Sequence, residues 1–203
     1  IELNYKIYGN GILKIKQTLY PSGAENPELP RFGMKVSINE TFDNLEWFGR
    51  GPHESYWDRK TSAKIDRYKG KVIDQTYKYV RPQETGNKTD IRWLALYNGS
   101  IGLMFKGLPV FDGSVHHYDY SLLDYYKGSQ LHGKTDIVKG DQIDLIVDYK
   151  QMGVGGDNSW GAKPHFRYTL PMDTTVYNLE YAIIPFNKKN ELDALSRLNI
   201  DNK

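Results

Sequence analysis

The sequence predicts an all-β chain, a large antiparallel β-sandwich, and three observations carry that reading. Short runs that alternate apolar and polar residues recur along it, as in Ile1–Tyr8 and Ile91–Tyr97. Turn signals separate the runs, Gly9-Asn10-Gly11 and Asn98-Gly99 among them, the latter being the strongest short-range hairpin signal present. The composition, with 16 Tyr, 4 Trp and 19 Gly and few helical runs, favours strands and turns. At 203 residues the chain fits one domain, long enough to bury roughly 70% of its unfolded surface.

In chain order, Ile1–Tyr8 and Ile12–Leu19 read as a β-hairpin around Gly9-Asn10-Gly11. The chain opens inside a strand without a start Met or a leader, which predicts a cut fragment or a processed product. A polar loop from Pro21 to Pro30 leads into strands at Phe32–Ile38 and Leu45–Phe48. Trp47–Arg59 packs Gly, Pro, charges and aromatics densely, and Arg50, Glu54, Asp58 and Arg59 offer one another bidentate pairs. The preferred reading there is a buried network pinning a loop. His53 has no second His at metal-ligand spacing.

A loop rich in hydrogen-bonding side chains follows at Arg81–Asp90, then the hairpin Ile91–Tyr97 and Ile101–Phe105. Phe111–Tyr120 carries His116 and His117, adjacent residues that point to opposite faces of a strand and cannot chelate one metal together; both read as solvated or core-edge. Leu122–Leu131 reads as a short helix or strand edge, Gln142–Asp148 and Phe166–Leu170 as strands, and Val176–Ile184 as the last strand. Residues 1–185 are thus expected to form the sandwich and 186–203 a charged tail, in which Leu192, Leu195 and Leu198 suit a weakly amphipathic helix.

Composition also excludes functions. Lys and Arg number 27 against 25 Asp and Glu, a balance that argues against nucleic acid as the main partner. No apolar run approaches the ~20 residues of a membrane-spanning helix. With no Cys there is no thiol nucleophile and no disulfide frame.

The stretch Lys150–Gly161 holds the candidate site. Gly153, Gly155 and Gly156 preclude a helix or central strand and predict a constrained loop able to use positive φ. It has neither the Lys-Ser/Thr pair of a phosphate loop nor the Gly-x-Gly-x-x-Gly of a dinucleotide fold. Asp157, Asn158 and Trp160 supply what a sugar needs, an apolar ring beside hydroxyl partners. A tight turn with a core Trp fits the same residues equally well.

Taken together, Leu29-Pro30-Arg31-Phe32-Gly33, Trp47–Arg59, Tyr79–Trp93 and Asp148–Gly161 closely resemble, in order and spacing, the C-terminal (small-chain) domain of glycoside hydrolase family 2 β-galactosidases. The resemblance implies a galactose-mutarotase-like sandwich, entered partway through at its N-terminal side. Such a truncation would leave an unpaired edge near Ile1–Leu19 unless something covers it. Trp57 stands where the family has Pro before the Asp58-Arg59 pair, and the last ~18 residues extend past the family's usual end.

What the resemblance implies for function is a domain of a retaining β-galactosidase acting on terminal non-reducing β-D-galactose, as in lactose. Its two catalytic glutamates lie in a separate (β/α)-barrel domain, the implied partner, so Glu54, Asp58, Glu84, Asp90 and Asp157 receive no catalytic role. Trp160 takes the position of the family's sugar-stacking Trp at the mouth, with Asp157 and Asn158 beside it as substrate-binding candidates. Arg81, Glu84, Asp90 and Arg92 read as a structural network. Mg²⁺ or Ca²⁺, with Na⁺ as a further candidate, is implied for the full-length enzyme but with no ligand here, and a homo-oligomer of that enzyme is left open. The alternative is a free-standing galactoside-binding or mutarotase-like module.

Overall fold

The computed structural model describes residues 1–21, 28–80, 83–123, 138–158, 160–187 and 191–200. Nine antiparallel strands dominate them: β1 (Glu2–Ile7), β2 (Leu13–Leu19), β3 (Arg31–Asn39), β4 (Asn44–Gly51), β5 (Lys64–Lys71), β6 (Lys88–Asn98), β7 (Ile101–His116), β8 (Gln142–Gln151) and β9 (Tyr177–Phe186). They build the expected antiparallel β-sandwich. One layer runs β1-β2-β9-β7-β6-β4-β5, and β8 joins β3 to β7.

Strand β7 explains how two layers share one hydrogen-bonded sheet. Its first half pairs with β9 at Gly102–Gly107, and its second half pairs with β8 at Asp112–His116. Between the halves lies Pro109, which has no N–H to give a ladder. The chain therefore changes layer without ending the strand.

Alternation then fills two cores. Tyr177, Leu179 and Tyr181 of β9 face the first, together with Ile15, Trp47, Leu94, Phe105, Ile143 and Leu145. Ala182, Ile184 and Phe186 of the same strand face the second with Trp93, Ala95, Met104, Leu192 and Ile200. Leu192 opens the short helix α1 (Leu192–Ser196), so part of the charged C-terminal stretch packs onto the outer face of β6, β7 and β9. Cover on both faces is why β6 reads almost continuously apolar from Trp93 to Tyr97.

Several details differ from expectation. β5 was not foreseen: Lys64, Asp66, Arg67, Lys69 and Lys71 hide its period, a charge density suited to an exposed edge strand. Phe166–Leu170 is not a strand; Phe166–Tyr168 is a 3₁₀ turn and only Leu170 bridges to Leu29. His116 and His117 are both buried rather than solvated. The Thr76 hydroxyl meets His116 Nδ1 at 3.1 Å, and Asp43 meets His117 Nε2 at 2.8 Å. Burial, aided by the charges of Lys88 and Arg31, pushes the His116 pKa down to about 3. Of Leu122–Leu131, only the end of the 3₁₀ turn Tyr120–Leu123 lies within the described residues. β1 is a terminal strand, exposed along its length, with no described strand on its outer edge.

Candidate functional site

The candidate loop is the connection from β8 to β9, residues 152–176. Main-chain bonds fasten it where it leaves the sheet. Met152 N–H donates to Pro30 O at 2.9 Å, Gly153 N–H to Tyr168 O at 2.8 Å, and Leu29 N–H to Leu170 O at 2.8 Å. Backbone groups that would otherwise be stranded at a strand end are thus paired.

Gly153 and Gly156 serve close approach, and none of the three glycines takes a left-handed backbone, which corrects the expectation of positive φ for them. None of Gly153, Gly155 and Gly156 has positive φ; Gly161 does, at 96°. A Cβ on Gly153 would lie 2.7 Å from the Asp58 carboxyl, and one on Gly156 would lie 2.0 Å from Ala162 O. Asp58 Oδ2 accepts the Gly155 N–H at 2.8 Å. Asp58 therefore does not pair with Arg50 or Arg59, as its own segment suggested; Arg59 Nη2 bonds Glu54 at 2.7 Å and Arg50 Nε bonds Asp90 at 2.5 Å.

Asp157, Asn158 and Trp160 share the tip. Asn158 Oδ1 accepts the Trp160 backbone N–H at 2.8 Å, a side-chain-closed turn. Asp157 Oδ1 and His165 Nε2 lie 2.8 Å apart, both largely exposed. Trp160 itself is 92% exposed, which removes the core-Trp reading. Phe166, 75% exposed, is a second bare aromatic on the same loop and was missed because its segment reads as a strand.

The foot of the loop rests on the turn Tyr56–Arg59, closed by Tyr56 N–H to Arg59 O at 3.1 Å and Arg59 N–H to Tyr56 O at 2.8 Å. Trp57, the departure from the family pattern, meets the Tyr168 ring edge-on at 6.0 Å, and Lys150 Nζ sits 4.0 Å above its indole. Beneath lies a hydrogen-bonded knot. Glu54 accepts from Tyr79 OH at 2.6 Å, Gly86 N–H at 2.8 Å and Arg59. Burial alone would raise the Glu54 pKa, but these donors and the Arg59 charge hold it below the usual value.

Asp90 behaves alike: burial raises its pKa, and Arg50 and Lys60 more than reverse this. Arg92 Nη1 donates to Asp90 O at 2.6 Å, and Arg31 Nη2 lies 3.2 Å from Glu84 Oε2. Glu84, Asp90 and Arg92 thus sit in internal contacts, whereas Arg81 lies outside the described residues. Among the described residues no three carboxylate or imidazole side chains converge as a metal-ligand set.

Fold and site together define a class, an antiparallel β-sandwich domain that presents an aromatic-tipped loop fastened through its backbone. Residues 1–183 match the family described as beta-galactosidase small chain, and the chain belongs to that family. It is 46% identical over 169 residues to a beta-galactosidase of Priestia megaterium, covering 83% of this chain and 16% of that protein. A beta-galactosidase of Halalkalibacterium halodurans is 32% identical over 178 residues, covering 85% and 17%, and one of Vibrio cholerae 32% over 181, covering 83% and 16%. The chain thus spans about one sixth of the length of these relatives. No helix among the described residues is long and apolar enough to cross a membrane.

Proposed function

We propose that this chain is the domain of a retaining β-galactosidase that completes the substrate-binding mouth, and that the enzyme releases terminal non-reducing β-D-galactose from lactose-type substrates. The observation that carries the reading is a bare indole on an otherwise fastened loop: Trp160 is 92% exposed while the backbone around it is bonded at Met152, Gly153, Gly155 and Trp160. A large apolar ring left in water on a pre-ordered loop gains most by covering the C–H face of a sugar, because the cost of ordering the loop is already met. Asp157 and Asn158 stand beside it as hydroxyl partners.

This chain's work in the reaction is to bind and orient. The two glutamates of the retaining mechanism, ~5–5.5 Å apart, are assigned to the barrel domain of the parent enzyme, the proposed partner. Glu54, Glu84 and Asp90 support that assignment by being engaged in cation pairs of their own. Mg²⁺ or Ca²⁺, with Na⁺ as a further candidate, belongs in this reading to the rest of the full-length enzyme.

The test is Trp160→Ala in the full-length enzyme. Losing an aromatic anchor worth ~1–3 kcal/mol should raise KM about 5- to 150-fold. A platform touches substrate and transition state alike, so kcat changes far less, and the melting temperature stays put. An unchanged KM would sink the platform reading. Galactoside hydrolysis by the purified 203-residue chain, abolished by changing one of its own carboxylates, would show that the chemistry lies here after all.

A further inference from the structure

We infer that Asp58 is the positioning residue for Trp160, a claim that rests on reading Trp160 as the sugar platform. Its segment has no share in the β8–β9 connection, yet the turn Tyr56–Arg59 aims both central side chains at it. Trp57 packs on Tyr168 at the loop's far end, and Asp58 takes the Gly155 N–H at the near end. The turn is fixed in its own right by the Tyr56–Arg59 backbone pair, by Ser55 N–H donating to Asn87 O at 2.8 Å, and by the Arg59–Glu54 bond. A rigid piece thus grips a loop through one carboxylate.

The grip is tight on the loop side too. Gly153 leaves open the space its Cβ would occupy 2.7 Å from the Asp58 carboxyl carbon and Oδ2. From Gly155 the chain reaches Trp160 in five residues, and Asn158 closes the last turn onto the Trp160 N–H. Among the described residues no ring contact or side-chain hydrogen bond holds the Trp160 ring, which is 92% exposed, so a displacement at Gly155 passes to it through the backbone.

Stability does not account for this carboxylate. Among the described residues Oδ1 is buried with no hydrogen-bond partner, and Oδ2 has one neutral amide donor. A half-buried carboxylate so sparsely paired adds little to the fold, and its worth lies in where it puts the loop.

The experiment compares D58A, D58N, G153A, the double variants D58A/G153A and D58A/W160A, and W160A in the full-length enzyme. Expected for D58A is a KM raised on the order of 10-fold with kcat nearly kept, as loss of placement produces. D58N, whose amide oxygen still accepts from Gly155, should recover most of it. G153A should raise KM in the native background and do little once Asp58 is gone. D58A/W160A should be no worse than W160A, since both act through one ring. Hydrogen exchange of peptides spanning residues 153–160 should quicken in D58A while the melting temperature holds or rises.

A D58A enzyme with unchanged KM beside a W160A enzyme with raised KM overturns the inference and leaves the platform standing. Unchanged KM in W160A overturns both, because Asp58 would then position no substrate contact. A D58A melting temperature lowered as in a core variant, not restored in D58N, overturns it as well.

Discussion

The knot around Glu54 and Asp90 and the loop around Trp160 are made of the same residue types, and they use them in opposite ways. In the knot, polar side chains are spent on one another and on nearby backbone: Glu54 takes donors from Tyr56, Arg59, Tyr79, Thr85 and the Gly86 N–H, Asp90 takes Arg50 and Lys60, and Ser55 Oγ meets Thr89 Oγ1 at 3.0 Å. Its tryptophan, Trp47, is 2% exposed, rests on Tyr68 and donates its indole N–H to Arg50 O at 3.0 Å. In the loop, Asp58, Asn158 and main-chain carbonyls answer the backbone, and the rings of Trp160 and Phe166 are left in water. Among the described residues the Trp160 indole N–H meets no acceptor. Density of polar residues therefore does not distinguish the two regions; what distinguishes them is the aromatic surface left bare at Trp160 and Phe166.

The largest effect that separates the two regions is expected from Trp47→Ala. Emptying a packed indole site should cost ~3–5 kcal/mol and lower the melting temperature sharply. The same melt on Trp160→Ala should show nothing, and equal losses for both would erase the contrast.

Next in size is Asp112→Asn, which probes the knot from below. Asp112 Oδ1 accepts the Asp90 N–H at 3.0 Å, and burial pushes the Asp112 carboxyl up to about 7. A raised carboxyl pKa means that the folded state holds the proton more tightly. That share of stability is full below the unfolded value near 3.8 and is lost as pH rises to about 7. Asn keeps the acceptor without the charge, so the variant should gain on the order of 2 kcal/mol over the parent at pH 8 and little at pH 4. Urea melts at the two pH values check it, and a pH-independent difference would refute it.

Smallest is His165→Ala. The pair with Asp157 is largely exposed, so stability should move by no more than about 0.5 kcal/mol. A larger shift in the denaturation midpoint would mean that the loop is held by its surface after all.

What could be read from the residues alone follows the same division. Hairpins at Gly9–Gly11 and Asn98-Gly99 were legible because turn chemistry is local, and both Gly11 and Gly99 take positive φ. The loop at Lys150–Gly161 was legible because glycine forbids regular structure there. β5 was not, since an edge strand has no need of the apolar period that reveals inner strands. Phe166–Leu170 misled because β-formers in sequence do not guarantee a ladder partner, and only Leu170 found one. The pairing of Arg50 with Asp90, 40 residues on, and of Asp58 with Gly155, 97 residues on, lay beyond any local rule. Gly153, Gly155 and Gly156 read as a loop able to use positive φ, and the close approach of Asp58 that Gly153 permits had no local signal.

The pairing of β2 with β9 has a consequence for how the molecule comes into being. Thr18 Oγ1 donates to Asn178 Oδ1 at 2.9 Å across a separation of 160 residues. At a synthesis rate of about 5–20 residues/s, the β1–β2 hairpin waits on the order of ten seconds for the strand that seats it. Until then β2 lacks its β9 partner, and a ribbon of two strands by itself is marginal in water. The β1–β2 hairpin is thus synthesised before, and secured after, the strands that lie between it and β9, and a ribosome stalled before Tyr177 would hold a nascent chain in which β2 still lacks its β9 partner.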